Sequence, residues 1–184
     1  MSWVVIEGTV VEYDDTETGE PLVLVHGHPF DRTMWRPQVE HLAGAGWRVI
    51  VPDLRGYGSS AVVPAVTGLE TFARDIAGLL DHLGQRRAVL GGLSMGGQVV
   101  LEFYRLFPGR VRGLLLADTS ATSESSTSAR QRLEMANRLL HEGLHRYADQ
   151  VLPKMVAPQS IRDRPEVARH VLGMMRGTSP LGAA

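Results

Sequence analysis

Cysteine is absent from all 184 residues, which excludes disulfides, a thiol nucleophile and any cysteine-based zinc site. Excess charge is also absent: 19 basic and 20 acidic residues leave a formal charge of −1, so no broad electrostatic footprint for nucleic acid exists. No apolar run approaches the roughly 18 residues that span a bilayer. The N-terminus, Met1-Ser2-Trp3-Val4-Val5-Ile6-Glu7, lacks the basic start and long apolar core of a secretory signal. These absences predict a cytoplasmic protein with no membrane and no nucleic-acid partner. What remains is an ordinary globular composition, 43% hydrophobic and 21% charged, on a chain long enough for one substantial core.

The pattern of apolar runs sets the fold class. Val4 to Ile6 and Thr9 to Tyr13 read as short strands around Gly8, an opening hairpin followed by an acidic turn at Asp14 to Gly19. Leu22 to Val25, Trp47 to Val51, Ala88 to Leu90 and Val111 to Ala117 are short continuous apolar runs, the pattern of strands buried on both faces. Between them, helices are expected over Met34 to Ala43, Leu69 to Leu83 and Met95 to Phe107. Strand, loop and helix in repeated order predict an α/β fold, a mostly parallel sheet flanked by helices.

After Asp118 the composition changes. Eight of the ten residues from Thr119 to Ser128 carry hydroxyls, which reads as a solvated linker. Ser128-Ala129-Arg130-Gln131 fits a capping box, and helices are expected from there, from Leu144 to Val156 and from Arg164 to Met175. No strand pattern returns, and the last residues, Gly177 to Ala184, read as loop. The expected organisation is a sheet-containing part over 1–120 and a helical cap over 121–184. Met135, Leu139, Leu140, Met155, Met174 and Met175 either line a pocket or pack on the sheet, and packing is the simpler expectation.

Gly92-Leu93-Ser94-Met95-Gly96 is the main chemical signal. The pattern Gly-x-Ser-x-Gly alone is weak, but here a predicted strand precedes it and a predicted helix follows it. A sharp strand-to-helix turn would expose the Ser94 hydroxyl, and the helix N-terminus would offer the Met95 N–H to a developing oxyanion. The competing interpretation is a glycine-rich turn with a helix-capping serine. His141-Glu142-Gly143-Leu144-His145 also matches the zinc-binding His-Glu-x-x-His pattern. Gly143 at its centre weakens the helix that motif needs, and no third ligand stands at a recognised spacing, so no metal is expected.

Three blocks together resemble the α/β-hydrolase family of small-molecule esterases, enol-lactonases and cofactor-free haloperoxidases. They are Leu24-Val25-His26-Gly27-His28-Pro29-Phe30-Asp31, Asp53-Leu54-Arg55-Gly56-Tyr57-Gly58-Ser59-Ser60, and Gly91 to Gly97, and the resemblance covers residues 1 to about 120. It implies that Ser94 is the nucleophile, that the main-chain N–H groups of His28 and Met95 form the oxyanion hole, and that no cofactor is required. It implies a small-molecule ester, lactone or thioester as substrate. Relatives that displace halide or open epoxides carry Asp in place of the serine, so Ser94 favours ester-type hydrolysis. Perhydrolase chemistry would use the same site. His26 is expected to bond nearby backbone.

The same resemblance exposes a departure. The family takes its base from a histidine after the final strand and its acid from beyond the cap, and two further strands and helices would need at least roughly 55 more residues. None of His41, His82, His141, His145 or His170 stands at the family position. The expectation is therefore a chain with the C-terminal strands and helices of the fold absent. Acid and base would come from a complementary C-terminal segment or second chain, with Asp118 a minor candidate for the acid. The alternative is a non-catalytic ligand-binding homologue.

Overall fold

The computed structural model describes residues 2–184. The hairpin forms as β1 (Ser2–Ile6) and β2 (Thr9–Asp15), with Val4 paired to Val11. Strands β3 (Glu20–Val25), β4 (Trp47–Pro52), β5 (Ala88–Leu93) and β6 (Val111–Ala117) complete a six-stranded sheet in the order β1-β2-β4-β3-β5-β6. The pairs β3–β4, β3–β5 and β5–β6 are parallel, and only β2 runs against the rest.

The alternation of side chains along a strand explains why β3 is a continuous apolar run from Leu22 to Val25. Val23 and Val25 face the larger core, with Val4, Ile6, Val11, Ile50 and Leu90, under helices α2 (Leu69–His82) and α3 (Met95–Leu106). Leu22 and Leu24 face the opposite core, with Val49, Val51 and Trp35. That second core is covered by α1 (Arg36–Gly44), which packs on β4. The segment expected as one helix from Met34 opens instead with a 3-10 turn over Arg32–Trp35, capped by the Asp31 side chain, and Pro37 enters α1 in its first turn.

Beyond β6 come α4 (Ser126–Glu142), α5 (Leu144–Met155), α6 (Pro158–Asp163), α7 (Pro165–Gly177) and α8 (Pro180–Ala183). Two readings of the sequence, the start of α4 and the tail, are corrected here. The N-cap of α4 is Ser125, which accepts from Ser128 N–H at 3.1 Å, so the helix starts before the Ser128 capping box; in a serine-rich run several hydroxyls compete for that role. The stretch around Pro158 is a short helix with proline in its first turn. The tail is not loop: α8 forms, and Gly182 meets Gly56 backbone to backbone.

These helices pack through Ala148, Leu152, Ala168, Met174 and Met175 onto Phe30, with Met34 and Leu93 beside it, above the ends of β3 and β5. Leu139, Met174 and Met175 are buried as expected of packing residues, whereas Leu140 and Met155 are exposed. No helix among the described residues is long and apolar enough to cross a membrane.

Candidate active site

Ser94 stands at the carboxyl end of β5, where open α/β sheets place their ligands. Strand register fixes its neighbours. Val25 pairs with Gly92, which carries residues 26–28 past one side of the elbow, and Ala117 pairs with Leu93, which sets Asp118 beside the other.

The backbone at Ser94 has φ 51° and ψ −116°, a conformation L-residues rarely adopt, and its hydroxyl makes no capping hydrogen bond to α3. The capping-serine interpretation therefore fails. Ser94 is exposed. Its main chain is tied down on three counts: the N–H donates to Ala117 O at 3.0 Å, and the carbonyl accepts from Gln98 N–H at 3.2 Å and from Thr119 Oγ1 at 2.7 Å. Gly92 and Gly96 make the turn sterically feasible. A Cβ on Gly92 would strike the Gly96 carbonyl, and one on Gly96 would strike the carbonyls of Val25 and His26.

On the β3 side, the loops following β3 and β4 are cross-tied through buried polar groups. His26 is fully buried; its Nδ1 bonds Gly27 O and its Nε2 accepts from Leu54 N–H, both at 3.0 Å. It is the structural residue expected. Asp53 accepts from Arg32 N–H at 2.7 Å and from Ser59 N–H at 2.8 Å, and it pairs with the Arg32 guanidinium, which also bonds Asp14. The His28 imidazole lies 3.0 Å from the Tyr57 hydroxyl, which also reaches Met95 Sδ at 3.8 Å. Tyr147 of α5 stacks edge-on against the His28 ring, at 6.3 Å between centroids.

Burial, with the nearby Arg132 and His26, holds His28 neutral by lowering its pKa to about 4, and burial pushes both Tyr57 and Tyr147 above the usual phenol range. Among the described residues, the His28 and Met95 main-chain N–H groups donate to no protein acceptor. Gly27, just before His28, lies against the elbow, where a Cβ on it would meet the Ser94 Cβ at 3.4 Å.

The β6 side is different. An open cavity of about 310 Å³ is lined by Ser94, Gln98, Asp118, Thr119 and Ser120. Asp118, at φ 42°, turns the chain into it. Among the described residues no histidine hydrogen-bonds to Ser94: His82 stacks on Tyr13, His141 bonds Asn137 O and His170 bonds Thr33. His141 and His145 do not share a helix, because Gly143 at φ 72° separates α4 from α5. Tyr57 stands in a block the sequence singled out, but its reach to both His28 and Met95 was not legible there. Tyr147 and Arg132 carried no signal, since they arrive from elements distant in sequence.

Comparison with known proteins agrees with this fold. Residues 20–163 match the family model described as the alpha/beta hydrolase fold. Over 120 residues the chain is 43% identical to a 2-hydroxy-6-oxononadienedioate/2-hydroxy-6-oxononatrienedioate hydrolase of Burkholderia vietnamiensis, a match covering 61% of this chain and 42% of that protein. Its structure superposes on a thermophilic esterase from Thermogutta terrifontis with a TM-score of 0.94 at 40% identity, covering 100% of this chain and 70% of the esterase. For the enol-lactonase of Burkholderia xenovorans the TM-score is 0.91 at 27% identity, covering 99% and 70%. The chain thus spans less than half of the Burkholderia vietnamiensis hydrolase and about two thirds of the solved structures.

Proposed function

Because the chain belongs to the alpha/beta hydrolase fold family, we propose that it carries the nucleophile and oxyanion site of a serine hydrolase. The substrate is a carboxylic ester, lactone or thioester of a small molecule. The observation that carries this reading is the Ser94 elbow itself, an exposed hydroxyl on a strained backbone at the start of α3.

In this mechanism Ser94 Oγ attacks the carbonyl carbon while a base takes its proton, and the carbonyl oxygen gathers charge against the N–H groups of His28 and Met95. Collapse expels the alcohol or thiol and leaves an acyl-enzyme, which water then hydrolyses. The base and its orienting acid are assigned to residues that complete the sheet beside β6, where the 310 Å³ cavity has room for an imidazole and Leu114, Leu115 and Leu116 are exposed. Residues 121–184 act as the cap that shapes the substrate pocket. Esterase and lactonase activity in the solved relatives supports the reaction class.

Labelling of Ser94 by a fluorophosphonate, read by intact mass with and without the complementary segment, tests the reading. Labelling that rises at least tenfold with the segment and disappears in Ser94→Ala supports it. Equal labelling without the segment would sink the divided site. A ligand-binding role without turnover is the second reading, favoured by the absence, among the described residues, of any histidine bonded to Ser94; hydrolysis of a p-nitrophenyl ester by the whole protein excludes it.

A further inference from the structure

The two oxyanion donors belong to different loops, and the stabilisation they give depends on their mutual placement to within a fraction of an ångström. The loops are clamped at their bases, where Gly96 lies against the carbonyls of Val25 and His26. His28 lies further out, and its peptide N–H takes no part in the backbone hydrogen bonding of that loop. One buried polar atom touches both donor residues: the Tyr57 hydroxyl, 3.0 Å from His28 Nδ1 and 3.8 Å from Met95 Sδ.

Tyr57 is itself held firmly. Its N–H donates to Leu54 O at 2.9 Å, its carbonyl accepts from Ser60 N–H at 3.0 Å, and its ring packs edge-on against His26 at 5.2 Å. The side chain is only 4% exposed, between the loops after β3 and β5. Tyr147 also meets the His28 ring edge-on, at 6.3 Å between centroids. His28 therefore contacts two tyrosines, of which Tyr57 reaches on to Met95.

We infer that Tyr57 is the positioning residue of the oxyanion site, its hydroxyl fixing the separation of the His28 and Met95 main-chain N–H groups. The inference rests on the serine-hydrolase reading and adds to it a residue that touches no reacting atom. A group that acts this way matters more to the tetrahedral state, where the oxyanion is charged, than to bound substrate.

The test compares wild type, Tyr57→Phe, His28→Phe and the double variant in the whole protein, with Ser94→Ala as the control. Tyr57→Phe should lower kcat roughly 10- to 100-fold, the scale of a small misplacement of reacting groups, and leave KM within about twofold. Affinity for a boronic acid, which mimics the tetrahedral state, should fall in step with kcat, while affinity for the product acid holds. His28→Phe keeps the main-chain donor but removes the partner of Tyr57, so it should reproduce the loss, and the double variant should be little worse than either single one.

Unchanged kcat and boronate affinity in Tyr57→Phe would overturn the inference, as would an equal loss of boronate and product affinity. Should Tyr57→Phe fail to fold, His28→Phe decides alone by the same two affinities. Activity surviving in Ser94→Ala would instead overturn the serine-hydrolase reading, independently of Tyr57.

Discussion

The two flanks of Ser94 are built to different standards. Toward β3, buried His26, Asp53 and Arg32 cross-tie two loops, Tyr57 bridges His28 and Met95, and every named side chain has a partner. Toward β6, the neighbours of Ser94 are Asp118, Thr119 and Ser120 around open space, and the edge strand carries three partly exposed leucines in a row. One flank is a finished electrostatic site and the other a receptive surface. On the proposed function, oxyanion stabilisation and proton transfer, which a serine hydrolase must join, would fall to separable parts of the fold.

The sharpest way to break that comparison is to remove the atom both flanks serve. Ser94→Ala should lower kcat of the whole protein by about 10⁴-fold or more, since nucleophile and base act as a unit. Its melting temperature should not fall, because alanine relieves a hydroxyl that makes no cap and leaves Ala117 O and Thr119 still bonded to the main chain. A drop in stability comparable to the loss of a core residue would show the elbow serine to be structural.

Next in size is the steric foundation of the finished flank. Gly96→Ala drives a methyl into the carbonyls of Val25 and His26 and should cost about 3 kcal/mol, measured by denaturant unfolding. Gly109→Ala, where a Cβ meets nothing within 4 Å, should be neutral or stabilising by about 0.5 kcal/mol. Equal costs at the two sites would mean that the close approach at the elbow is not what holds the flank together.

The sequence made the sheet legible because a strand buried on both faces must be apolar throughout, and β3 divides its residues between two cores. The strained turn at Ser94 was legible because a sharp strand-to-helix turn needs small residues on both sides of the serine, and a Cβ on Gly92 or Gly96 would meet backbone carbonyls. Tyr57 was only half legible. Its position in the Asp53 to Ser60 block was evident, but its contact with His28 and Met95 depends on how β3, β4 and β5 are ordered in space. Arg132 and Tyr147 come from helices whose packing no local pattern dictates. The ends of α4 and α8 were misjudged for a local reason, since neighbouring serines compete as caps and a proline admits a short helix as readily as a turn.

Titration probes the same flank more gently. His26 and His28 are both held neutral chiefly by burial; His26 also faces Asp53, Asp31 and Arg32, and His28 faces Arg132 and His26. In the unfolded chain each histidine binds a proton near pH 6.5. As pH falls from about 6.5 toward 4, the unfolded state takes up protons that the native state refuses, so stability declines through that window. Below about 4 His28 protonates in the native state too, and its contribution to the slope ends. His28 accounts for at most about 3 kcal/mol, less any relaxation of the loop. Denaturant unfolding at pH 7, 5.5 and 4.5 should show a shallower decline in His28→Phe than in wild type. Parallel declines would place the sensitivity elsewhere.

The smallest effect is expected on the open flank. Leu116 is 47% exposed on the edge strand, and β6 pairs only with β5. Leu116→Lys should change the stability of the 184-residue chain by no more than about 0.5 kcal/mol, as for other surface substitutions. It should also reduce self-association in sedimentation velocity, since a lysine on an exposed edge opposes strand addition. The same lysine in the whole protein meets different surroundings if residues completing the sheet cover β6. There its burial should cost well over 1 kcal/mol, because a charge loses its water without gaining a partner. A large loss in the short chain would show that Leu116 already packs within it; a negligible loss in both would show that nothing covers this edge, and the source of the base would have to be sought on another side of Ser94.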